Sequence, residues 1–358
     1  MVKENRLERQ AQRTLLDYLQ EIPFLTVEQV SSKPPRKRSP DSKPDALLKL
    51  TYPDDERLLV VEIKESGQPK TARQAVNQIR RYLEHFPNSY GVFFAPYISP
   101  QAAAICKAEG IGYADLAGNC YLSFPHVYIR REDWPNPIKQ KRELRSLYAP
   151  KAARILRILL VTASDRRRWK VEALANEAGV SLGQVSNVKK RLVDREWAQS
   201  EPDGFWLSAP KDLLEDWSKN YTFRRHVVHD FYSLKNAAAV EADLANFCEQ
   251  EGIRYALTGF SAAARLAPSV RYQRAMAYIW DNIEGLSQKL WLKKVESGAN
   301  LSVLVPADDG VFYGARAARD GIQLVSPIQV YLDLRAYRGR GEEAAQAVYE
   351  QVIEPTWP

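Results

Sequence analysis

Two apolar stretches with charges in their interiors constrain the fold of this chain more than any other feature. They are "PDALLKL" at residues 44–50 and "RLLVVEIK" at residues 57–64. Each has the length and aliphatic content of a β-strand. Charged side chains are rarely placed inside strands unless they have a partner or a function. We therefore predict two neighbouring strands that share a charged site.

The register of these strands decides which charges meet. A turn centred on Pro53 and Asp54 makes the pair antiparallel and places Asp45 against Glu62. Directly opposed residues point to the same face, with Cβ atoms about 5 Å apart. Because side chains alternate along a strand, Lys64 shares that face. Two carboxylates and one ammonium group should therefore converge at one end of the sheet.

This combination of charges suits metal-dependent hydrolysis. Opposed carboxylates repel each other, so a cation should share the site, and Mg²⁺ or Mn²⁺ is the candidate cofactor because hard cations prefer oxygen ligands. The metal would lower the pKa of a bound water, and Lys64 would position or deprotonate that water or stabilise the charge on a phosphate. The alternative is a purely structural cluster of ion pairs at a sheet edge, without catalytic function.

The spacing of these residues resembles a known nuclease signature. Residues 44–45 followed by residues 62–64 resemble the PD-(D/E)xK motif of the restriction-endonuclease-like nucleases. Gln78 and Tyr82, on the predicted helix over 70–86, are spaced as the QxxxY motif of RecB-type nucleases. Residues four apart share one helix face.

The resemblance implies an α/β restriction-endonuclease-like domain over residues 1–135. It implies that Asp45 and Glu62 bind the metal together with the backbone carbonyl of Ile63. It further implies that Lys64 assists the attacking water and that Gln78 lies beside the site.

Three further polar residues are weaker candidates. Glu8, on a predicted first helix, could be an accessory acid, although a solvated helix face is the favoured interpretation. Asp115 and Asn119 in "GIGYADLAGNCYL" lie at a strand end where the site could open. An Asx-type turn explains them at least as well.

The segment over 151–210 is typical of a winged helix-turn-helix. It follows a basic, proline-containing linker over 136–150 and predicts three helices and a short hairpin. Gly179 should end the second helix, and Ser181 should cap the third. Asp203 and Gly204 should form the turn of the wing.

A winged helix of this composition predicts binding to double-stranded DNA. The third helix opposes its apolar face with groove-reading and phosphate-contacting side chains, and a cationic flank precedes it. This cationic flank includes Arg154 and Arg157 as well as Arg166, Arg167 and Arg168. Contact with another protein is the alternative. The predicted DNA-binding residues are Gln184, Ser186, Asn187, Lys189, Lys190, Arg166, Arg167 and Arg168.

Residues 211–358 predict an α+β domain, with helices near 211–219, 223–250 and 342–353. Gly259 and Ser261 loosely resemble the phosphate-binding turn of nucleotidyltransferases, but the paired acids that those enzymes need do not follow. The stretches "LTGFSAAARLAP" and "VSPIQVYLDL" resemble the C-terminal part of AbiEi-type antitoxins, which are DNA-binding regulators. A packing or dimerisation module is the alternative.

The bulk properties limit the compartment and the partners. The chain has 358 residues, a net charge of +7 and a sequence pI near 9.1, a mild bias that suits an anionic partner. Its three cysteines are far apart, which predicts neither a disulfide framework nor a zinc site. The charged N-terminus and the lack of an apolar run of about 18 residues predict a cytoplasmic protein with no membrane segment.

Two functional hypotheses follow from the sequence. The first is a metal-dependent deoxyribonuclease in which the winged helix holds the duplex, and the intact set of Asp45, Glu62, Lys64 and Gln78 favours it. The second is an antitoxin-like DNA-binding regulator in which the nuclease fold is not catalytic, and the resemblance implies a phage-defence context. A homodimer and, under the second hypothesis, a cognate toxin are the candidate protein partners.

Overall fold

The chain divides into two units of mixed α/β structure. The computed structural model describes residues 2–30, 43–53, 55–135, 147–267, 272–337 and 341–357. The first unit comprises residues 1–141 with 194–196, and the second comprises 142–193 with 197–358. Most of the predicted linker over 136–150 lies outside the described residues, as does Asp54 of the predicted turn.

The first unit is built on a seven-stranded sheet whose strands follow each other in chain order. The β3–β4 and β4–β5 pairs are parallel, and the other four pairs are antiparallel. Its elements are α1 (Val2–Gln20), β1 (Thr26–Gln29), β2 (Ala46–Thr51), β3 (Glu56–Ile63), α2 (Pro69–Leu83), β4 (Ser89–Ala95), α3 (Pro100–Ala108), β5 (Gly112–Asp115), β6 (Cys120–Phe124) and β7 (Val127–Arg131).

Helices cover both faces of this sheet. Leu15 and Leu19 of α1 pack on one face with Val61 and Ile63. Helices α2 and α3 pack on the other face, where Tyr82 joins Leu47 and Val60 in a small apolar cluster. Since side chains alternate along a strand, Glu62 lies on the α2 face, as Val60 does.

The second unit begins with three helices and a hairpin and continues into a second seven-stranded sheet, of order β13-β10-β14-β12-β11-β16-β15. One hydrophobic core runs through both parts. The elements are α4 (Pro150–Val161), α5 (Val171–Ala178), α6 (Leu182–Asp194), β8 (Ala198–Glu201), β9 (Gly204–Leu207), α7 (Pro210–Asn220), β10 (Val227–Tyr232), α8 (Ala237–Gln250), β11 (Tyr255–Leu257), α9 (Gly259–Leu266), β12 (Ala275–Ile279), α10 (Ile283–Lys289), β13 (Lys293–Lys294), β14 (Leu301–Val305), β15 (Arg316–Ala317), β16 (Gln323–Leu324), α11 (Pro327–Ala336) and α12 (Gly341–Val348).

The local signals for the three helices and the hairpin are confirmed. Gly179 ends α5 with a φ of +60°, and the Ser181 hydroxyl accepts a hydrogen bond from the Gln184 amide at the start of α6. The hairpin is present, but its turn is formed by Pro202 and Asp203, one residue earlier than predicted, because Gly204 already pairs with Glu201.

The prediction of a single helix over 223–250 is wrong for the first half of that range. Residues 227–232 form β10, which pairs antiparallel with β14, because the β-branched and aromatic residues of "VVHDFY" favour a strand. Helix α8 starts only at Ala237, where the Asn236 side chain caps it by accepting a hydrogen bond from the Ala239 amide.

No helix among the described residues is both long enough and apolar enough to cross a membrane.

Close packing of α2 on β4 depends on Gly91. A Cβ atom at this position would lie 2.1 Å from Cγ2 of Ile79, a buried residue of α2. Helix α2 also carries Gln78 and Tyr82, so Gly91 sets how closely those side chains approach the sheet.

We expect Gly91→Ala to destabilise the first unit by about 1–3 kcal/mol, because overpacking a tight contact forces atoms apart. Chemical denaturation of Gly91→Ala, Ile79→Ala and the double variant measures this. Ile79→Ala leaves a cavity of its own, but it should remove most of the additional cost of Gly91→Ala. Strictly additive costs would contradict this account of the packing.

Candidate functional site

Asp45 and Glu62 lie opposite each other where β2 begins and β3 ends. The observed register pairs Ala46 with Val61, so Asp45, one residue earlier, stands opposite Glu62. The exposed Asp45 side chain accepts a hydrogen bond from the Ile63 amide through Oδ2, at 2.7 Å. The antiparallel register predicted from the sequence is therefore present.

Glu62 is the buried member of this pair. Its Oε1 accepts a hydrogen bond from Nζ of Lys64 at 2.5 Å. Its Oε2 is buried and has no hydrogen-bond partner among the described residues. Burial raises the pKa of Glu62 to about 6, and the charge of Asp45 adds to this effect, whereas Lys64 and the Tyr82 hydroxyl oppose it.

Helix α2 brings Gln78 and Tyr82 over the same face. Gln78 is half-buried, and its side chain is hydrogen-bonded to the hydroxyl of Tyr82. Burial and the nearby charges of Glu62 and Asp45 raise the pKa of Tyr82 to about 12. The structure thus brings together Asp45, Glu62, Lys64, Gln78 and Tyr82.

The residues present suit a divalent cation that keeps most of its own water. The described residues contain no group of three or more histidine, cysteine or acidic side chains that could hold a metal ion. Asp45 and Glu62 supply two carboxylates, and Mg²⁺ is commonly held by one or two carboxylates, waters and substrate phosphates. The unpartnered Oε2 of Glu62 is a lone carboxylate oxygen of the kind such a cation would bind.

The three weaker candidates lie elsewhere or have other partners. Oδ1 of Asp115 accepts hydrogen bonds from the amides of residues 117–119, and Oδ2 accepts from the Ile98 amide and from Nδ2 of Asn119. These hydrogen bonds stabilise the turn between β5 and β6, which agrees with the alternative interpretation of Asp115 and Asn119 as an Asx-type turn. Glu8 lies on α1, which packs against the opposite face of the sheet, and no described contact joins it to Glu62.

Helix α6 separates an apolar face from a polar one. Val185, Val188 and Leu192 are buried in the core of the second unit. Ser186, Asn187 and Lys190 are exposed, whereas Gln184 and Lys189 are half-buried. The amino group of Lys189 lies 5.3 Å from the ring centroid of Phe205 in the hairpin.

The cationic flank is less available than its sequence indicates. Arg168 is exposed, but it pairs with the acids Glu201 and Asp203 of the hairpin, each at 2.6 Å. Arg167 stacks on Trp169 at 3.8 Å from the ring centroid. Arg166 is exposed.

The assignment of Arg154 and Arg157 to the DNA-facing flank is wrong. Arg154 is held by Asp308 and Asp309, with N–O distances of 2.8 Å to each. Arg157 is only 4% exposed. The sequence offered a signal, because Arg157 stands inside "ILRILL", where every neighbour is apolar and the helix is buried on all sides.

Comparison with known proteins gives one family match. Residues 206–354 match the family model described as "Transcriptional regulator, AbiEi antitoxin, Type IV TA system". The match covers under half of the chain, and it confirms the antitoxin-like resemblance of the C-terminal part. No curated protein matches the chain.

One solved structure is similar to part of the chain. It is titled "crystal structure of a repair endonuclease from Pyrococcus abyssi" and is 16% identical, with a TM-score of 0.22. The similar region covers 30% of this chain and 46% of that one. The chain therefore spans less than half of that structure, and a likeness this weak assigns no activity.

The pKa of Glu62 predicts a pH dependence of stability. Because the folded-state pKa lies above the ordinary 4.5, the folded chain holds a proton that the unfolded chain releases between these values. The contribution of Glu62 to the free energy of unfolding is therefore fully present below pH 4.5 and is lost as the pH rises to about 6.

We expect Glu62→Gln to flatten this decline, whereas Glu56→Gln, an exposed glutamate of the same strand, should leave it unchanged. Denaturant unfolding monitored across this pH window measures both. An unchanged pH profile in Glu62→Gln would show that the carboxyl titrates normally.

Proposed function

We propose that this chain is a DNA-binding transcriptional regulator of the antitoxin class. The exposed polar face of α6, supported by the buried apolar face of the same helix, is the observation that carries the DNA-binding part. The family match over residues 206–354 supports the regulatory part and implies a cognate toxin as functional partner. The winged-helix assignment of residues 151–210 belongs to this proposal, and a homodimer remains a prediction.

The two kinds of contact on α6 should respond differently to mutation. Asn187 can read a base edge, because an amide side chain pairs with adenine through two hydrogen bonds. We assign Lys190 to a backbone phosphate, a contact that contributes equally on every sequence. Both side chains are exposed, so their removal should not disturb the core.

We expect Asn187→Ala to weaken binding to specific DNA by about 1–3 kcal/mol and to leave nonspecific binding unchanged. Lys190→Ala should weaken both and lower the salt dependence of log K by about 0.9. Fluorescence anisotropy, at several salt concentrations, would compare duplex from upstream of the chain's own gene with scrambled duplex. Lys219→Ala, an exposed lysine of α7, is the control. Equal binding by all variants would exclude α6 as the DNA-reading helix.

A second function, metal-dependent hydrolysis of phosphodiester bonds, is supported by the first unit. The observation that favours it is the buried Glu62 opposite Asp45. One Glu62 oxygen accepts from Lys64, and the other has no hydrogen-bond partner in the described part of the chain. We infer a restriction-endonuclease-like fold for this unit. Asp45, Glu62 and the Ile63 carbonyl would hold Mg²⁺ or Mn²⁺, which would supply a water of lowered pKa.

The protein side chains would have separate tasks in this reaction. Lys64 would hold the attacking water by a hydrogen bond and stabilise negative charge on the phosphate. Glu62, kept partly protonated by its burial, would lose its proton near pH 6 and become a metal ligand. Gln78 and Tyr82 would fix the position of the Glu62 carboxylate from the side of α2.

We expect wild-type protein with Mg²⁺ or Mn²⁺ to cleave plasmid or linear DNA. Lys64→Ala should slow cleavage by about 100-fold or more, and Glu62→Gln should abolish it. Lys49→Ala is the matched control, because Lys49 also pairs with a glutamate of β3, Glu56, at the other end of the strand pair. Gel assays of plasmid nicking and linearisation measure the rates.

The outcomes separate the two functions. Cleavage that persists in Glu62→Gln would identify a contaminating nuclease. Absence of cleavage by wild type on duplex, nicked and single-stranded DNA would exclude the nuclease and leave the regulator, whose DNA binding does not depend on Glu62.

A further inference from the structure

A small cavity lies in the second unit, where α4 and α7 approach the start of β10. Its volume is about 40 Å³. A cavity of this size exceeds the volume of a single water site and accommodates the head of a small ligand. The residues that matter for its chemistry are Arg157, Trp217, Asn220, Tyr221, Arg225 and His226.

Arg157 supplies a buried positive charge to this cavity. Its guanidinium group stacks on Trp217, 5.2 Å from the ring centroid. Its Nε donates to Oε1 of Gln329 at 2.8 Å. Within the described parts of the chain it forms no ion pair with a carboxylate, although it is only 4% exposed. A buried charge without a counter-charge costs several kcal/mol, so such groups normally have an ionic partner.

The residues behind Arg157 fix its orientation. Nε2 of Gln329 donates to Oδ1 of Asp333 at 2.8 Å, so its Oε1 is left to accept from Arg157. Asp333 is fully buried and also accepts hydrogen bonds from the hydroxyls of Tyr221, Tyr278 and Thr258. The Gln329 amide thus stands between Arg157 and Asp333, and Asp333 already accepts four hydrogen bonds. The terminal N–H groups of Arg157 remain to face the cavity.

The other charges around the cavity do not offset Arg157. Arg225 lines the cavity, and its guanidinium donates to the backbone carbonyl of Tyr148 at 2.6 Å. The lining carboxylate, Asp308, is held by Arg154 through hydrogen bonds of 2.9 Å from Nε to both of its oxygens. Burial and the charges of Arg157 and Arg225 lower the pKa of His226 to about 4, so that imidazole is neutral at pH 7.

We propose that this cavity binds a small anion, a carboxylate or a phosphate, on the guanidinium of Arg157. The planar guanidinium presents parallel N–H groups that match two oxygens of either anion. Arg225, which is exposed, adds a second positive charge to the lining. The aromatic ring of Trp217 and the apolar lining would contact any uncharged part of the ligand.

Calorimetric titration of the full chain with sodium phosphate and with sodium acetate, at ionic strength held constant with sodium chloride, tests this proposal. We expect saturable binding of at least one anion, and the anion that binds identifies the ligand class. Arg157→Gln should weaken it about tenfold or more, equivalent to about 1.4 kcal/mol. Arg319→Ala, an exposed arginine outside the cavity, should bind as wild type does.

Two further variants keep the test decisive. Arg225 is exposed, so Arg225→Ala should fold normally and still weaken anion binding several-fold even if Arg157→Gln proves unstable. Lys190→Ala removes a predicted DNA-phosphate contact on α6 and should leave anion binding unchanged, which separates this cavity from the proposed DNA-binding face. No saturable binding of either anion, or equal binding by wild type, Arg157→Gln and Arg225→Ala, would overturn the proposal.

Discussion

The antiparallel register of β2 and β3 is the constraint on which the first unit depends. It places Asp45 opposite Glu62, and the alternation of side chains then assigns Leu47, Val60 and Glu62 to the face that α2 covers. A shift of one residue would move Glu62 into the apolar face beneath α1. The same register that forms the core therefore assembles the charged site, and the two cannot be changed separately.

Burial gives the charged residues of each unit their properties. In the first unit it raises the pKa of Glu62, one of whose oxygens has no hydrogen-bond partner among the residues that the structure describes. In the second unit it encloses Arg157, which is linked to the buried Asp333 through Gln329. Both arrangements hold a charge in a position where a ligand of opposite sign would be stabilised more strongly than in water.

Much of the candidate site was predictable because its signals are local or strictly periodic. Strand alternation and a short turn were enough to pair Asp45 with Glu62, and the four-residue spacing of Gln78 and Tyr82 was enough to put them on one helix face. The strand at residues 227–232 was missed because its apolar pattern also fits a helix, and pairing with the distant β14 decided between them. The prediction that Arg154 belongs to the cationic flank failed for a related reason, because proximity in sequence does not reveal that Arg154 pairs with Asp308.

The sequence by itself determined the register of the charged strands, the ends of the helices near Gly179 and Ser181, and the polar face of α6. Each of these depends on neighbours within a few residues or on one hairpin. Only the tertiary structure decided that Arg157 lies beside a cavity, that Arg168 is paired with the acids of the hairpin, and that Arg154 is paired with Asp308. These outcomes depend on contacts between distant segments, and it is such contacts that determine which charges keep their water and which lose it.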